Sequence, residues 1–358
     1  PKSAGPTRNP EQTMKNLSSL FCCIALLFNA GCKGESGKSK VAFVSNNAES
    51  FWNIAEVGAK KAANEYGVDL VFQKPSRSDP AEQKEKIDQV LNQGIKAVAI
   101  SVVEPEKQLN YLKSIASRVA LLTQDNDAPD SGRLCYIGTD NYEAGRAAGA
   151  LVKQAMPEGG TVAIFVGDLK ALNARQRRQG VIDELAEKKD SPADDGSVLG
   201  KYKLYRTYTD QPDGPAKAKT NAIQAITDLQ NEKNVCLVGL WAYNPPAILS
   251  ATKDQGKLGA VKIVAFDEDT ATLNGIKDGQ VFGTIVQQPY EFGYQSVKLM
   301  SELARDNRSN IPTTGVLHVP HVVVTQKGGS ITTSDGKKTE GKTAEDFHAQ
   351  LNKLLGRN

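Results

Sequence analysis

Histidine, tryptophan and cysteine are scarce in this 358-residue chain, with three, two and five copies. The histidines, His318, His321 and His348, form no ligand cluster, so no metal-site spacing is present. Of the cysteines, Cys135 and Cys236 sit in the apolar stretches RLCYIG and NVCLVGL and read as two buried thiols rather than a disulfide. An excess of charge is missing too. Residues 1–31 hold three of the 44 basic side chains and one of the 41 acidic ones, which leaves 41 against 40 and no electrostatic footprint for nucleic acid. The pieces GDLKAL and GTDNYEAG lack the glycine spacing and lysine of a phosphate loop. Asp125 and Asp267 could mimic a general acid/base pair, but no nucleophile–base pattern accompanies them. The chain reads as a non-enzyme without a cofactor.

A long hydrophobic run is also lacking. From Met14 the chain reads MKNLSSLFCCIALLFNAGC, with Lys15, an apolar stretch from Leu17 to Phe28 and small residues before Cys32. That is too short for a spanning helix and reads as a secretory signal. Ala30-Gly31-Cys32 resembles the bacterial lipobox, in which the peptide is cut before a cysteine that then carries lipid; Asn29 stands where that pattern prefers leucine. Residues 1–31 are therefore expected to be an upstream extension and lipoprotein signal peptide, and residues 32–39 a polar tether.

What is present, after Lys40, is alternation. Short apolar runs such as KVAFVSN, VDLVFQ, KAVAISVV and VALLTQ are separated by amphipathic segments over Phe51–Tyr66, Asp79–Asn92 and Pro105–Arg118. Unbroken apolar runs indicate strands buried on both faces, as in a parallel sheet covered by helices. Near TDNYEAGRAAGALVKQA the pattern restarts through GTVAIFVGD, YKLYRTYTD, VCLVGLWAYN, VKIVAFDED and VFGTIVQQP, with helices expected over Ala171–Lys188, Pro215–Gln230, after Pro246 and over Tyr290–Arg305. One sheet of a dozen strands would be unusually wide, so two α/β lobes with doubly wound parallel sheets are expected.

In such sheets ligands bind at the carboxyl ends of the strands. Asn46, Asn47 and the Phe51-Trp52 pair follow the first strand, Asp125, Asn126 and Asp127 follow VALLTQ, and Asp168 follows TVAIFVG. Thr209 and Asp210 follow KLYRTY, Trp241, Tyr243 and Asn244 follow CLVGL, Asp267 follows KIVAF, and Gln287 and Gln288 follow VFGTIV; Arg175 and Arg177 open a helix. A single aspartate or asparagine at such a place is more often a helix cap. Together these groups suit a small polyhydroxylated molecule, because carboxylates and amides pair with neighbouring hydroxyls and aromatic faces pack on the C–H face of a sugar ring.

The segments NNAESFWNIAEVGAKKAANEYG, TDNYEAGRAAGALV, ARQRRQGVIDEL, VAFDED and GTIVQQPYEFGYQSV resemble the type I periplasmic sugar-binding proteins of ABC importers, the ribose-binding protein group, over roughly residues 40–326. The resemblance implies two lobes, 40–140 plus 288–317 and 141–287 plus 318–326, joined by three crossovers near Asp140, Gln287 and His318–Pro320; residues 327–358 remain as a polar tail with a short helix. It implies a stacking pair in Phe51 and Trp52, hydroxyl-binding carboxylates in Asp125 and Asp267, a guanidinium in Arg175 and amides in Asn244 and Gln287. Asn126 stands where ribose binders carry arginine, Thr209 where they place an aromatic, and Asn244 precedes Pro245-Pro246 instead of an acidic pair. These departures point away from ribose and towards another sugar or polyol.

The expected site is thus Asn47, Phe51, Trp52, Asp125, Asn126, Arg175, Thr209, Trp241, Asn244, Asp267 and Gln287, with Cys32 as the lipid site. The expected setting is the periplasm or cell envelope, where a monomeric, membrane-anchored binding protein hands a sugar or polyol to an ABC permease and its ATPase. A ligand-sensing module signalling to a membrane receptor or kinase is the alternative. A transcriptional regulator fits worse, because a signal peptide occupies the place of a helix-turn-helix.

Overall fold

The computed structural model describes residues 1–5, 37–192 and 194–357. The chain divides into two units, Pro1–Lys38 and Ser39–Asn358. In the first, the described residues 1–5 and 37–38 fall in neither helix nor strand. The expected signal segment and Cys32 lie outside the described residues. All that follows concerns the second unit.

Its first half alternates β1 (Lys40–Val44), α1 (Phe51–Tyr66), β2 (Asp69–Gln73), α2 (Pro80–Leu91), β3 (Ala97–Ile100), α3 (Pro105–Ala116), β4 (Ala120–Gln124) and β5 (Cys135–Gly138). Helix starts follow local chemistry. Asp79 accepts hydrogen bonds from the amides of Ala81 and Glu82 while Pro80 fills the first helical position. The second half runs α4 (Asn141–Ala155), β6 (Gly160–Val166), α5 (Leu172–Ala186), β7 (Val198–Leu199), β8 (Tyr202–Thr209), α6 (Pro215–Asp228), β9 (Val235–Gly239), α7 (Asn244–Asp254), β10 (Val261–Phe266), α8 (Thr270–Lys277) and β11 (Gly283–Val286). After it come α9 (Pro289–Leu303), β12 (Val316–His318), β13 (Val322–Thr325), β14 (Ile331–Thr332), β15 (Lys338–Thr339), β16 (Gly341–Thr343) and α10 (Ala344–Leu354).

Two sheets result. The six-stranded one has the order β12-β5-β4-β3-β1-β2, parallel throughout. The eight-stranded one has the order β16-β13-β11-β10-β9-β6-β8-β7, parallel except where β13 meets β11 and β7 meets β8. Stripped of β16 and β7, the two orders match strand for strand, so the lobes repeat one doubly wound plan. Strand side chains alternate between the layers on either side of each sheet. Val41 and Phe43 enter one apolar cluster and Ala42 and Val44 another, while Val162, Ile164 and Val166 are parted from Ala163 and Phe165 in the same way. Burial on both faces is why these strands read as continuous apolar runs.

The chain leaves the first sheet after β5, returns from the second after β11, and crosses once more between β12 and β13. Two of these crossings are tied together, since the Gln288 side-chain amide donates to the Pro320 carbonyl at 2.7 Å. Beyond β13 the chain does more than form a polar tail with a short helix. β14 and β15 make a hairpin whose Ile331 enters the core of the second lobe, β16 extends the sheet beside β13, and α10 packs on β13, β16 and α8. Buried Glu184 holds the hairpin by accepting from the Ser334 amide at 2.7 Å and from Arg146 at 3.0 Å. Cys135 and Cys236 are separate buried thiols.

Candidate functional site

Between the carboxyl ends of the two sheets lies a cleft enclosing about 410 Å³ of space, part of it open to solvent. The first lobe supplies Asn46, Asn47 and Glu49 after β1, Phe51 and Trp52 at the start of α1, and Asp125 after β4. The second supplies Asn173 and Arg177 on α5, Trp241, Ala242 and Tyr243 after β9, and Asp267 after β10; Gln287 stands at the crossover after β11.

Asp125 and Asp267 occupy matching places in the two lobes. Each is the first residue past its strand and has a left-handed backbone, with φ of 58° and 66°. Each amide donates to the adjacent strand, to the carbonyls of Ile137 at 3.2 Å and Ile285 at 2.8 Å. Each carbonyl accepts from a hydroxyl, that of Tyr136 at 3.0 Å and that of Thr284 at 2.8 Å. The left-handed region costs a non-glycine residue of order 1 kcal/mol, and aspartate is among the residues most often found there. Strain kept at both equivalent positions marks them as places where the carboxylate's direction matters.

Arg177 joins these groups. It is 2% exposed. Its guanidinium donates to Asn141 Oδ1 at 2.8 Å, the Leu240 carbonyl at 2.9 Å and Gln287 Oε1 at 2.7 Å, stands 3.9 Å from Asp125 Oδ1 and lies over the Phe266 ring. Gln287 in turn donates to Asp267 Oδ1 at 3.1 Å, and the Ser101 hydroxyl donates to Asp125 Oδ2 at 2.8 Å. The arginine reaches this place because α5 lies close on α4. A Cβ on Gly145 would come within 2.1 Å of the Arg177 carbonyl oxygen, and one on Gly180 within 2.2 Å of that of Tyr142.

Burial governs the charges. It raises the Asp125 carboxyl above the usual range against the opposing pull of Arg177. It pushes Asp267 up to about 6, opposed by Arg177 and the Gln287 hydrogen bond. Burial also lowers the Arg177 guanidinium, which the two carboxylates hold up. The site therefore offers two carboxylates on opposite walls, one shared cation and two faces of aromatic surface. Such a set can accept hydrogen bonds from a ligand's hydroxyls on both sides and donate one from the middle.

The cavity brings together Asn47, Phe51, Trp52, Asp125, Trp241, Asp267 and Gln287 of the expected residues. Phe51 and Trp52 are also core: Trp52 is 2% exposed, its indole donates to Asn46 Oδ1 at 3.1 Å, and it packs edge-on to Phe43. Asn126, Arg175, Thr209 and Asn244 do not line the cavity. Asn126 is fully buried, donating to the Val102 carbonyl and accepting from the Asn173 amide at 3.1 Å, so it joins the lobes behind the site. Arg175 lies two residues from Arg177, about 200° around the helix, and pairs with Glu106 at 2.8 Å near the surface. Thr209 faces solvent, since the alternation along β8 buries Tyr208 and Asp210 instead. Asn244 opens α7, accepting from the Trp241 amide at 2.9 Å and donating to Asp210, whose carboxyl burial pushes up to about 7. Arg177, Asn46 and Tyr243, which the sequence places at strand ends or the start of a helix but outside the expected site, also line the cavity, as do Asn173, Glu49 and Ala242, which the sequence does not single out. The i, i+4 spacing of Asn173 and Arg177 on one face of α5 is the signal that joins these two.

Residues 41–308 match the family of periplasmic binding protein domains. The chain belongs to that family. Its members are binding proteins, and this periplasmic binding protein is not an enzyme. The ribose import binding protein RbsB of Salmonella typhimurium is 23% identical to it over 301 residues, 82% of this chain and 94% of the relative. The D-allose-binding periplasmic protein of Escherichia coli K12 is 24% identical over 276 residues, 72% of this chain and 82% of the relative. The crystal structure of an ABC transporter solute-binding protein from Burkholderia graminis in complex with D-arabinose resembles this periplasmic binding protein with a TM-score of 0.73 at 27% identity, covering 82% of this chain and 97% of that one. The shared fold is the type I periplasmic binding protein fold, two doubly wound lobes with a three-crossover hinge.

Proposed function

We propose that this protein is the solute-binding component of an ABC importer, capturing a sugar or similar polyhydroxylated molecule between its lobes. The observation that carries the reading is the matched pair of strained, buried carboxylates, Asp125 and Asp267, linked through Arg177 and Gln287 across the cleft. Relatives that import ribose, bind allose or bind arabinose support the class of ligand. Ligand bound to both walls stabilises the closed arrangement, and hinge closure turns occupancy into a shape that a permease and its ATPase can read. Lipid on Cys32 would hold the protein at a membrane surface in the periplasm or cell envelope.

A thermal-shift screen against pentoses, hexoses, polyols and their phosphates tests the reading. A ligand present at about 100 times its Kd stabilises the folded state by about 2.7 kcal/mol. One sugar or polyol is expected to raise Tm by several degrees. Absence of any shift across the panel overturns the sugar reading.

A further inference from the structure

A second cavity, of about 580 Å³, opens off the first and shares Phe51, Ala242 and Asp267 with it. Its outer wall is the chain end, Leu351 of α10 and Arg357, which lies beyond the residues that match the family. A third cavity, of about 420 Å³, lies on the other side of Leu351 and is walled by apolar groups including Ile54, Tyr290, Phe347 and Leu354. Glu268 lines both.

Glu268 is 7% exposed, and neither of its carboxylate oxygens has a hydrogen-bond partner among the described residues. A carboxyl group withdrawn from water without a partner is costly, and a ligand group that reaches it would remove that cost. Burial, and then the charge of Asp267, push its carboxyl well above the usual range. The surrounding charge states what would arrive. The first two cavities together are lined by Glu49, Asp125, Asp267, Glu268 and Asp269 against Arg177 and Arg357. Arg177 spends three of its five N–H donors on Asn141, Leu240 and Gln287 and has Asp125 as its near anion at 3.9 Å, and Arg357 is exposed on the far wall. Asp267 lines both cavities, and Glu268 and Asp269 follow it into the second.

We infer that the cleft takes an amine-bearing sugar, its hydroxyls held by Asp125, Asp267 and Arg177 and its ammonium group by Glu268 at the mouth of the adjoining cavity. The inference rests on the sugar reading above and narrows it from neutral sugars to cationic ones. An ammonium donor gives Glu268 its missing partner and draws the raised carboxyls beside it back to the ionised form, which a neutral hydroxyl at the same place cannot do.

Isothermal titration of the full chain with paired probes tests this: D-glucosamine against D-glucose, D-galactosamine against D-galactose, and D-mannosamine against D-mannose. At least one amine is expected to bind about tenfold or more tightly than its parent, the scale of one charge-assisted hydrogen bond. The isosteric variant Glu268→Gln is expected to bring that ratio to within about twofold, because it keeps the shape but cannot ionise to meet an ammonium group. Parent sugars binding as well as their amines overturns the inference and leaves the sugar reading standing. An amine advantage that survives Glu268→Gln also overturns it. Silence from every probe overturns it as well, and the pentose and polyol arms of the thermal screen then decide the broader reading separately.

Discussion

Substituting Asp267 by asparagine separates what this carboxylate does for ligand from what it does to the fold. The protein holds Asp267 at about 6 against an ordinary value of 3.8, chiefly through burial. A raised folded pKa means that the native state prefers the protonated form. The stability it contributes is complete below about pH 4 and is lost as pH rises through about 6, by roughly 3 kcal/mol at 1.36 kcal/mol per unit. Asparagine mimics the protonated form. Its side-chain oxygen can still accept from Gln287, now at 3.1 Å, and it tolerates the left-handed backbone at least as well as aspartate. Asp267→Asn without ligand is therefore expected to match the wild type near pH 4 and to exceed it by up to about 3 kcal/mol at pH 7.5, which at about 2–4 °C per kcal/mol is a Tm rise of up to roughly 6–12 °C. Urea denaturation at the two pH values measures this directly. The same variant should lose about tenfold or more in affinity for whichever ligand the thermal screen identifies, since a charged acceptor becomes a neutral one. Equal destabilisation at both pH values would refute the reasoning, for it would mean that the ionised carboxylate is net favourable in the folded protein.

Arg177→Met leaves Asp125 and Asp267 buried without their shared cation and should cost about 3–5 kcal/mol at pH 7.5. Because both carboxyl pKa values then rise further, the loss should shrink as pH falls towards 4; a loss that does not vary with pH in denaturation curves would contradict this. Arg175→Ala, by contrast, removes only a surface pair with Glu106, worth about 0–1 kcal/mol, and should change ligand affinity by less than about threefold in titration. Cys32→Ser is expected to move the protein from the membrane fraction to the soluble fraction of cells, and an unchanged distribution on fractionation would remove the lipid anchor from the proposal.

Strand ends were legible in the sequence because parallel strands buried on both faces are apolar without interruption and stop abruptly. That is why the sequence alone places Asp125, Trp241, Asp267 and Gln287, each within two residues of an apolar run. Helix faces were harder. Arg175 and Arg177 both stand on α5, and the choice between them depends on the rotation of that helix about its axis. Gly145 and Gly180 set that packing, since each allows a backbone carbonyl of the facing helix to come within about 2.2 Å of where a Cβ would stand. Glycines read from sequence say little about which helix they admit. Asn126 and Asn244 show the opposite failing. They have the right chemistry at the right end of a strand, but Asn126 is consumed by the backbone at Val102 and Asn173, and Asn244 by the Trp241 amide and the Asp210 carboxylate. The hairpin and β16 were not legible because short, polar strands carry little apolar pattern, and their place is set by Ile331 and by the Glu184 network.

The pairing of carboxylates also bears on how closure is made conditional on ligand. Asp125 and Asp267 come from opposite lobes, and each raises the energy of the other's ionised form, as the Asp125 contribution to Asp267 shows. Bringing the lobes together therefore concentrates like charge in a place from which water is being removed, where its cost is greatest. Arg177 relieves part of this, but it belongs to the second lobe and is already saturated on its own side by Leu240 and Asn141. The first-lobe carboxylate gains only the 3.9 Å approach. A ligand that donates hydrogen bonds to both carboxylates removes the remaining cost, and a ligand that also carries positive charge removes more of it. Closure driven in this way requires the ligand to touch both lobes, because a molecule bound to one wall has equal affinity for the open and closed forms and shifts neither.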